Sequence, residues 1–139
     1  KKQVAKLSAM FDGLYELSDE EAKKVKVGGG TTLYYFKEMG EHRASDYLES
    51  LEKPVLIMQG EKDFQATAEK DFLAYQELLA GKDNVTFKLY EGLNHVFVPS
   101  IYGEIMKAKQ EYNVEQHIGE YVIADIAQWI LKNCAEILY

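Results

Sequence analysis

Pro54-Val-Leu-Ile-Met-Gln-Gly-Glu-Lys-Asp63 and Val85-Thr-Phe-Lys-Leu-Tyr-Glu-Gly-Leu-Asn-His95 are the two stretches that decide the fold. Each is an apolar run of strand length that breaks at a glycine and then delivers one ionisable side chain, Asp63 or His95. The proline holds the residue before it in an extended conformation. The unbroken run Val55-Leu-Ile-Met58 then predicts a strand buried on both faces, as in a parallel sheet covered by helices. Residues 85–90 alternate instead, with Val85, Phe87 and Leu89 on one side and Thr86, Lys88 and Tyr90 on the other. One face is therefore wetter, which places this strand nearer an edge. Between the two runs, Phe72, Tyr75, Leu78 and Leu79 fall at helical spacing, with Thr67 as a cap and Gly81 at the C′ position. Strand, helix and strand in this order predict a right-handed βαβ unit. Asp63 and His95 then both emerge beyond the carboxyl ends of the strands, where sites form in open α/β sheets.

Outward from this unit the chain is helical. Val4, Leu7, Met10, Phe11, Leu14 and Leu17 recur at three- and four-residue spacing, an amphipathic helix. Ser18-Asp-Glu-Glu21 is a capping-box pattern opening a second helix to about Val27. Gly28-Gly-Gly30 stops it, as plain loop punctuation or as a hinge beside a cleft. Thr31–Met39 predicts a third helix capped by threonine and broken by Gly40. Asp46–Leu51 predicts a short helical turn. After His95, residues 96–112 form a long connection, and Asn113-Val-Glu-Gln116 is a second capping-box pattern. The last helix is expected to bury Ile118, Val122, Ile126, Trp129 and Ile130.

Composition bounds the function. A chain of 139 residues is in the single-domain range. Its net charge of −7 argues against nucleic acid as a partner. The nearest basic run, Lys23-Lys-Val-Lys26, follows acidic residues directly and is expected to be a solvated helix face. No apolar run approaches the roughly 18 residues that span a bilayer, so no membrane partner is expected. No signal-peptide stretch follows Lys1-Lys2. The chain starts without methionine, directly in helical periodicity, which suggests a piece of a longer protein. Cys134 is the only cysteine, so an intrachain disulfide is excluded and a small core residue is expected. Localisation is left open.

A carboxylate that accepts from one imidazole nitrogen fixes the tautomer, so the other nitrogen can take a proton from a nucleophile. Asp63 and His95 can serve in this way. Taken singly, each is also ordinary: aspartate after Gly-x-x is common turn chemistry, and a histidine after a strand is often a surface residue. Glu61 is an alternative acid, less favoured for its earlier place in the turn. No cofactor is expected. His42, His95 and His117 lack the spacing and the cysteine partners of a zinc site. Gly28-Gly-Gly30 lacks the Gly-Lys-Ser/Thr ending of a P-loop, and no dinucleotide fingerprint follows either strand.

The paired motifs Pro54–Gln65 and Phe87–Phe97 resemble the C-terminal part of an α/β-hydrolase of the bacterial serine esterase or acyl-peptide hydrolase type. The resemblance covers roughly residues 46–133. In that family the triad runs Ser, then Asp or Glu, then His along the chain. The resemblance thus implies Asp63 as triad acid and His95 as general base. It implies a partial α/β-hydrolase fold, with the last two parallel strands at about 54–59 and 85–90, a crossover helix and a C-terminal helix. Residues 1–45 would be a helical cap-like or lid-like segment, and 46–139 the C-terminal part of the core. Leu14, Tyr34, Tyr35 and Phe36 either line an acyl pocket or simply pack.

The departure from the family is the nucleophile. None of Ser8, Ser18, Ser45, Ser50 and Ser100 stands in a Gly-x-Ser-x-Gly elbow. The elbow and the earlier strands are therefore expected upstream of Lys1. The chain is then a C-terminal fragment of a serine hydrolase cleaving carboxylic esters or acyl/peptide bonds, inactive alone. The alternative is a non-catalytic hydrolase-like binding or scaffold module. The expected partner of the intact protein is a small-molecule ester or acyl/peptide substrate. With one neighbour strand encoded, Val55–Met58 keeps an unpaired apolar edge, which predicts self-association of the isolated chain.

Overall fold

The computed structural model describes residues 2–134 and has two compact units, Lys1–Leu48 and Glu49–Tyr139. In the first unit, helix α1 (Lys2–Phe11) is followed by a 3₁₀ turn at Leu14–Glu16 and helix α2 (Asp19–Lys24). The side chains of Val4 and Leu7 lie outside what is described. The capping box at α2 forms as expected: Ser18 Oγ accepts from Glu21 N at 3.4 Å, and Glu21 Oε2 accepts from Ser18 N at 2.9 Å.

Helix α2 ends at Lys24 rather than near Val27. Lys26–Gly28 is instead a strand, β1, paired antiparallel with β2 (Thr31–Thr32). Valines at 25 and 27 favour extended backbone. Gly29 and Gly30, at φ 57° and 85°, then make a reversal that residues with side chains enter only at a cost. The glycine run is thus the turn of a hairpin.

Helix α3 (Leu33–Glu41) follows, and Thr32 occupies its N-cap position without a side-chain cap bond. Gly40 does not break this helix but lies inside it. A Cβ at Gly40 would overlap the hydroxyl oxygen of Tyr15, so the glycine is there for a close approach. Leu14, Ala22 and Leu33 are buried together, with Phe11, Tyr34 and Phe36 packed on them. Leu14, Tyr34 and Phe36 are thus packing residues, and Tyr35 is 53% exposed. Helix α4 (Ala44–Leu48) closes the unit.

The second unit is α/β. Strands β3 (Val55–Gly60) and β4 (Val85–Tyr90) pair in parallel, in register from Val55↔Val85 to Gly60↔Tyr90. Asn84 fixes the entry, donating from Nδ2 to the carbonyls of Leu51 and Lys53 at 2.8 Å each. The crossover begins as a π-helical turn, Ala68–Phe72, and continues as α5 (Leu73–Leu78). Thr67 stands before it, capping with its backbone carbonyl, which accepts from Asp71 N at 2.8 Å.

On one face of β4, Phe72 packs edge-on against Phe87 at 5.7 Å. On the other lies α7 (Glu120–Cys134). Trp129 Nε1 donates to Thr86 Oγ1 at 2.9 Å, and Asp125 accepts from the Tyr90 hydroxyl at 3.1 Å and from Lys88 Nζ at 2.9 Å. Burial and then the Asp125 carboxylate push the Tyr90 hydroxyl up to about 12.

Three expectations give way here. The β3 residues Val55–Gln59 are only half-buried, because no strand lies on the second edge of β3 among the described residues. On β4 the expected alternation holds from Val85 to Lys88 and inverts only at the carboxyl end, where Tyr90 is buried beside α7 and Leu89 is 45% exposed. Asn113 follows α6 (Ala108–Tyr112) instead of capping α7, which starts at Glu120. Of the residues expected to be buried, Ile118 and Ile130 are exposed, Ile126 and Trp129 are half-buried, and Val122 is the buried centre of the helix face. The side chain of Cys134 lies outside what is described.

Candidate functional site

The site is built where β3 and β4 stop. Beyond the strands, the two exits are tied together: Glu61 N donates to Tyr90 O and Lys62 N to Leu93 O, each at 2.8 Å. The carboxylate of Glu61 accepts from Gly92 N at 3.0 Å, and this bond holds Glu61 below the usual carboxylate range. Gly60 is what allows the approach. A Cβ there would collide with the carbonyl oxygens of both Leu93 and Asn94. Any side chain would push the histidine loop away from the aspartate turn.

Asp63 folds back on its own turn. Its Oδ1 accepts from Gln65 N at 2.8 Å and Ala66 N at 3.0 Å, an arrangement that short polar side chains favour in turns. Its Oδ2 accepts from Gln59 Nε2 at 2.9 Å and faces His95 Nδ1 at 2.8 Å. Gln59 is held in turn by Ala66 O. The Asp63 side chain is 5% exposed and that of His95 is 46% exposed.

An ionised carboxylate only accepts, so Nδ1 is the nitrogen that carries the proton in this pair, and Nε2 is left as the accepting nitrogen of a neutral ring. The structure thus brings the two residues singled out from the sequence together. It separates Glu61, the alternative acid, from the imidazole by engaging it with Gly92.

The loop that carries His95 is folded around Asn94, which is fully buried. Asn94 N donates to Val98 O at 2.9 Å, and Asn94 O accepts from Phe97 N at 3.0 Å. Phe97 has a left-handed φ of 59°, held by its ring packing edge-on against Tyr90 at 5.8 Å. Asn94 Nδ2 donates to Glu111 Oε1 at 3.0 Å. Burial opposes ionisation of Glu111, but Asn94 and the amides of Tyr102 and Ile101 outweigh it and hold the carboxyl down at about 2. Beside Asp63 lies an open hollow of about 330 Å³, bordered by Lys62, Phe64, Thr67 and Gly103 among others.

Sequence reasoning missed Gln59, Asn94 and Glu111. An asparagine in a glycine-containing turn is a usable signal for Asn94. Gln59 reads as an ordinary strand residue. Glu111 carries no signal, being one of many glutamates in the chain, here on a short helix.

The other histidines are elsewhere: His42 Nδ1 meets the Tyr47 hydroxyl at 2.7 Å, and His117 is exposed. No cluster of three or more His, Cys, Asp or Glu side chains that could hold a metal ion occurs among the described residues. No helix among them is long and apolar enough to cross a membrane.

No family model matches the chain, and no solved structure does. Among curated proteins, Esterase EstD of Thermotoga maritima is 31% identical to it over 103 residues. The match takes in 74% of this chain and 24% of that protein, so the chain spans about a quarter of the length of the relative. The chain is a partial homologue of an esterase, and its second unit is an α/β arrangement around a parallel strand pair.

Proposed function

We propose that this chain is the C-terminal part of a serine hydrolase of the α/β-hydrolase type, cleaving carboxylic esters or acyl/peptide bonds, with Asp63 as triad acid and His95 as general base. The observation that carries the reading is the 2.8 Å contact between a buried, fully hydrogen-bonded Asp63 and an exposed His95 beyond the ends of two parallel strands. The likeness to an esterase supports it independently of that geometry.

In the proposed reaction a serine supplied by sequence upstream of Lys1 attacks the acyl carbon, and its hydroxyl proton passes to His95 Nε2. Asp63 stabilises the imidazolium that results. The tetrahedral adduct collapses with transfer of that proton to the leaving alcohol or amine. Water then attacks the acyl-enzyme, again giving its proton to Nε2, and the acid is released with the serine restored. Asp63 is held in place by the amides of Gln65 and Ala66 and the side chain of Gln59, and its role is to orient the ring rather than to take the proton. In the same reading residues 1–45 are the cap-like segment, and the free edge of β3 takes a further strand, so that the chain made alone associates with itself.

The deciding experiment is active-site labelling of the full-length protein with a fluorophosphonate, mapped by peptide sequencing. Label on a serine upstream of Lys1, lost in His95→Ala, supports the reading. Label on a serine of this chain refutes it, and absence of any label in a folded protein favours a non-catalytic hydrolase-like scaffold.

A further inference from the structure

Asn94 and Glu111 are 0% and 1% exposed, deeper than any other polar pair among the described residues. Their side chains meet at 3.0 Å, Asn94 Nδ2 on Glu111 Oε1. The remaining capacity of the carboxylate is taken by backbone: Ile101 N lies 3.1 Å from Oε1 and 3.2 Å from Oε2, and Tyr102 N lies 2.6 Å from Oε2. The other end of the Asn94 amide is equally occupied, Oδ1 accepting from Val96 N at 3.1 Å and Val98 N at 3.4 Å. His95 is the residue enclosed by these bonds, with Asn94 before it and Val96 after it.

A buried carboxylate is an expensive way to fill space, and an apolar residue would fill it more cheaply. What a carboxylate offers is direction, because it accepts several donors at fixed angles. Here it joins three separate stretches: helix α6, the turn that carries His95, and the segment after Pro99.

We propose that Glu111 is the positioning residue of the histidine loop, setting the place of the His95 ring against Asp63 through Asn94. The proposal rests on the reading of His95 as general base. Glu111 touches no reacting atom. It acts by limiting where the backbone on either side of His95 can go, so its loss spreads the imidazole over orientations in which Nε2 misses the serine hydroxyl. Chemistry is affected and substrate affinity is not.

The test is ester turnover by the full-length protein, with p-nitrophenyl butyrate as the probe, in His95→Ala, Glu111→Gln and the double variant Asn94→Asp/Glu111→Gln. The Glu111→Gln change turns an amide NH₂ toward the NH₂ of Asn94, two donors face to face. The double variant restores the match by moving the carboxylate to position 94, while the amide oxygen introduced at position 111 still accepts from Ile101 and Tyr102. The expected result is a folded Glu111→Gln protein with kcat reduced at least tenfold and KM within about twofold, and a double variant that recovers kcat.

A folded Glu111→Gln protein with normal kcat overturns the proposal. If Glu111→Gln does not fold, the double variant decides. Near-wild-type kcat supports the proposal, whereas loss of kcat or of folding despite the restored match overturns it. Undiminished turnover in His95→Ala removes the base assignment itself, whatever Glu111 does. Loss in His95→Ala beside normal Glu111→Gln removes only the positioning role.

Discussion

Lys37 and Asp63 are both charged groups withdrawn from water beside an opposite partner, one in each unit, and they are built the opposite way round. The Lys37 side chain is 10% exposed while its partner Asp19 is 53% exposed. In the second unit the carboxylate is the buried member, and its partner His95 is the half-exposed one. Lys37 donates to Leu17 O at 2.9 Å and Asp19 at 2.8 Å, and its ammonium stands 3.8 Å from Glu41. Those bonds tie α3 to the turn before α2 and to the first residue of α2, and hold a fixed charge in place. Around Asp63 the fixed charge is inside, held by Gln59, Gln65 and Ala66, and the exposed partner is an imidazole, the side chain suited to proton transfer near neutrality. Burial of the fixed charge with exposure of the titratable one is what separates a candidate site from a brace.

The largest effect that can break this contrast is His95→Ala in the full-length protein. Turnover is expected to fall by about 10⁶, the scale of losing a triad histidine. Lys37→Met should leave kcat unchanged and lower only the resistance of the first unit to denaturant. Equal losses in kcat from the two substitutions would erase the distinction.

Next comes Asp63→Asn, for which a fall of about 10⁴ in kcat is expected. An asparagine keeps the shape but can present its NH₂ to Nδ1 and favour the wrong tautomer. A pH–rate profile with unchanged kcat in this variant would show that Asp63 is only a turn residue.

The two glycines sharpen the comparison on the stability side. Gly60→Ala forces a Cβ onto two backbone carbonyls, so urea unfolding should show the second unit destabilised by about 1–3 kcal/mol. Gly40→Ala meets only the far end of the exposed Tyr15 ring, which can swing aside. Its effect should stay within about 1 kcal/mol, offset by the better helix propensity of alanine.

The smallest effects are in pH dependence. Lys37 is raised above 10.5, mainly by its bond to Asp19, so its contribution is present below that value and lost as pH climbs through the raised one. Asp19 is lowered by the Lys37 bond, so its contribution holds above 3.8 and is lost as pH falls through the depressed value. Glu111, ordinarily near 4.5 and held at about 2, stabilises the second unit above 4.5 and loses that contribution progressively on acidification toward 2. Amide exchange should therefore show the histidine loop loosening with acid, whereas the Lys37 brace yields at both ends.

The parallel pair was legible because an apolar run closed by glycine has few readings, and the capping box at Ser18 because two side chains and their spacing define it. The hairpin at Gly28–Gly30 was hidden by a strand of only three residues, too short to show alternation. Gly40 misled because a glycine that breaks a helix and one that admits a neighbour read alike in sequence; only the Tyr15 ring distinguishes them. Asn113 has the spacing of a capping box, yet α6 ends where that box would begin. Asp63 and His95 could be found because each follows its strand directly. Gln59 and Glu111 could not, since what they contribute is contact across the fold.

The bond between Trp129 Nε1 and Thr86 Oγ1 makes this chain unusually easy to watch. Trp129 is the only tryptophan. Its indole hydrogen-bonds to the strand that leads to His95. Selective indole excitation therefore reads one docking event within the second unit, α7 on β4. Fluorescence set against circular dichroism, which sees helices everywhere, becomes a two-channel record: coincident transitions would mean that the two units melt as one, and a lag between the signals would time the loss of the histidine scaffold by itself.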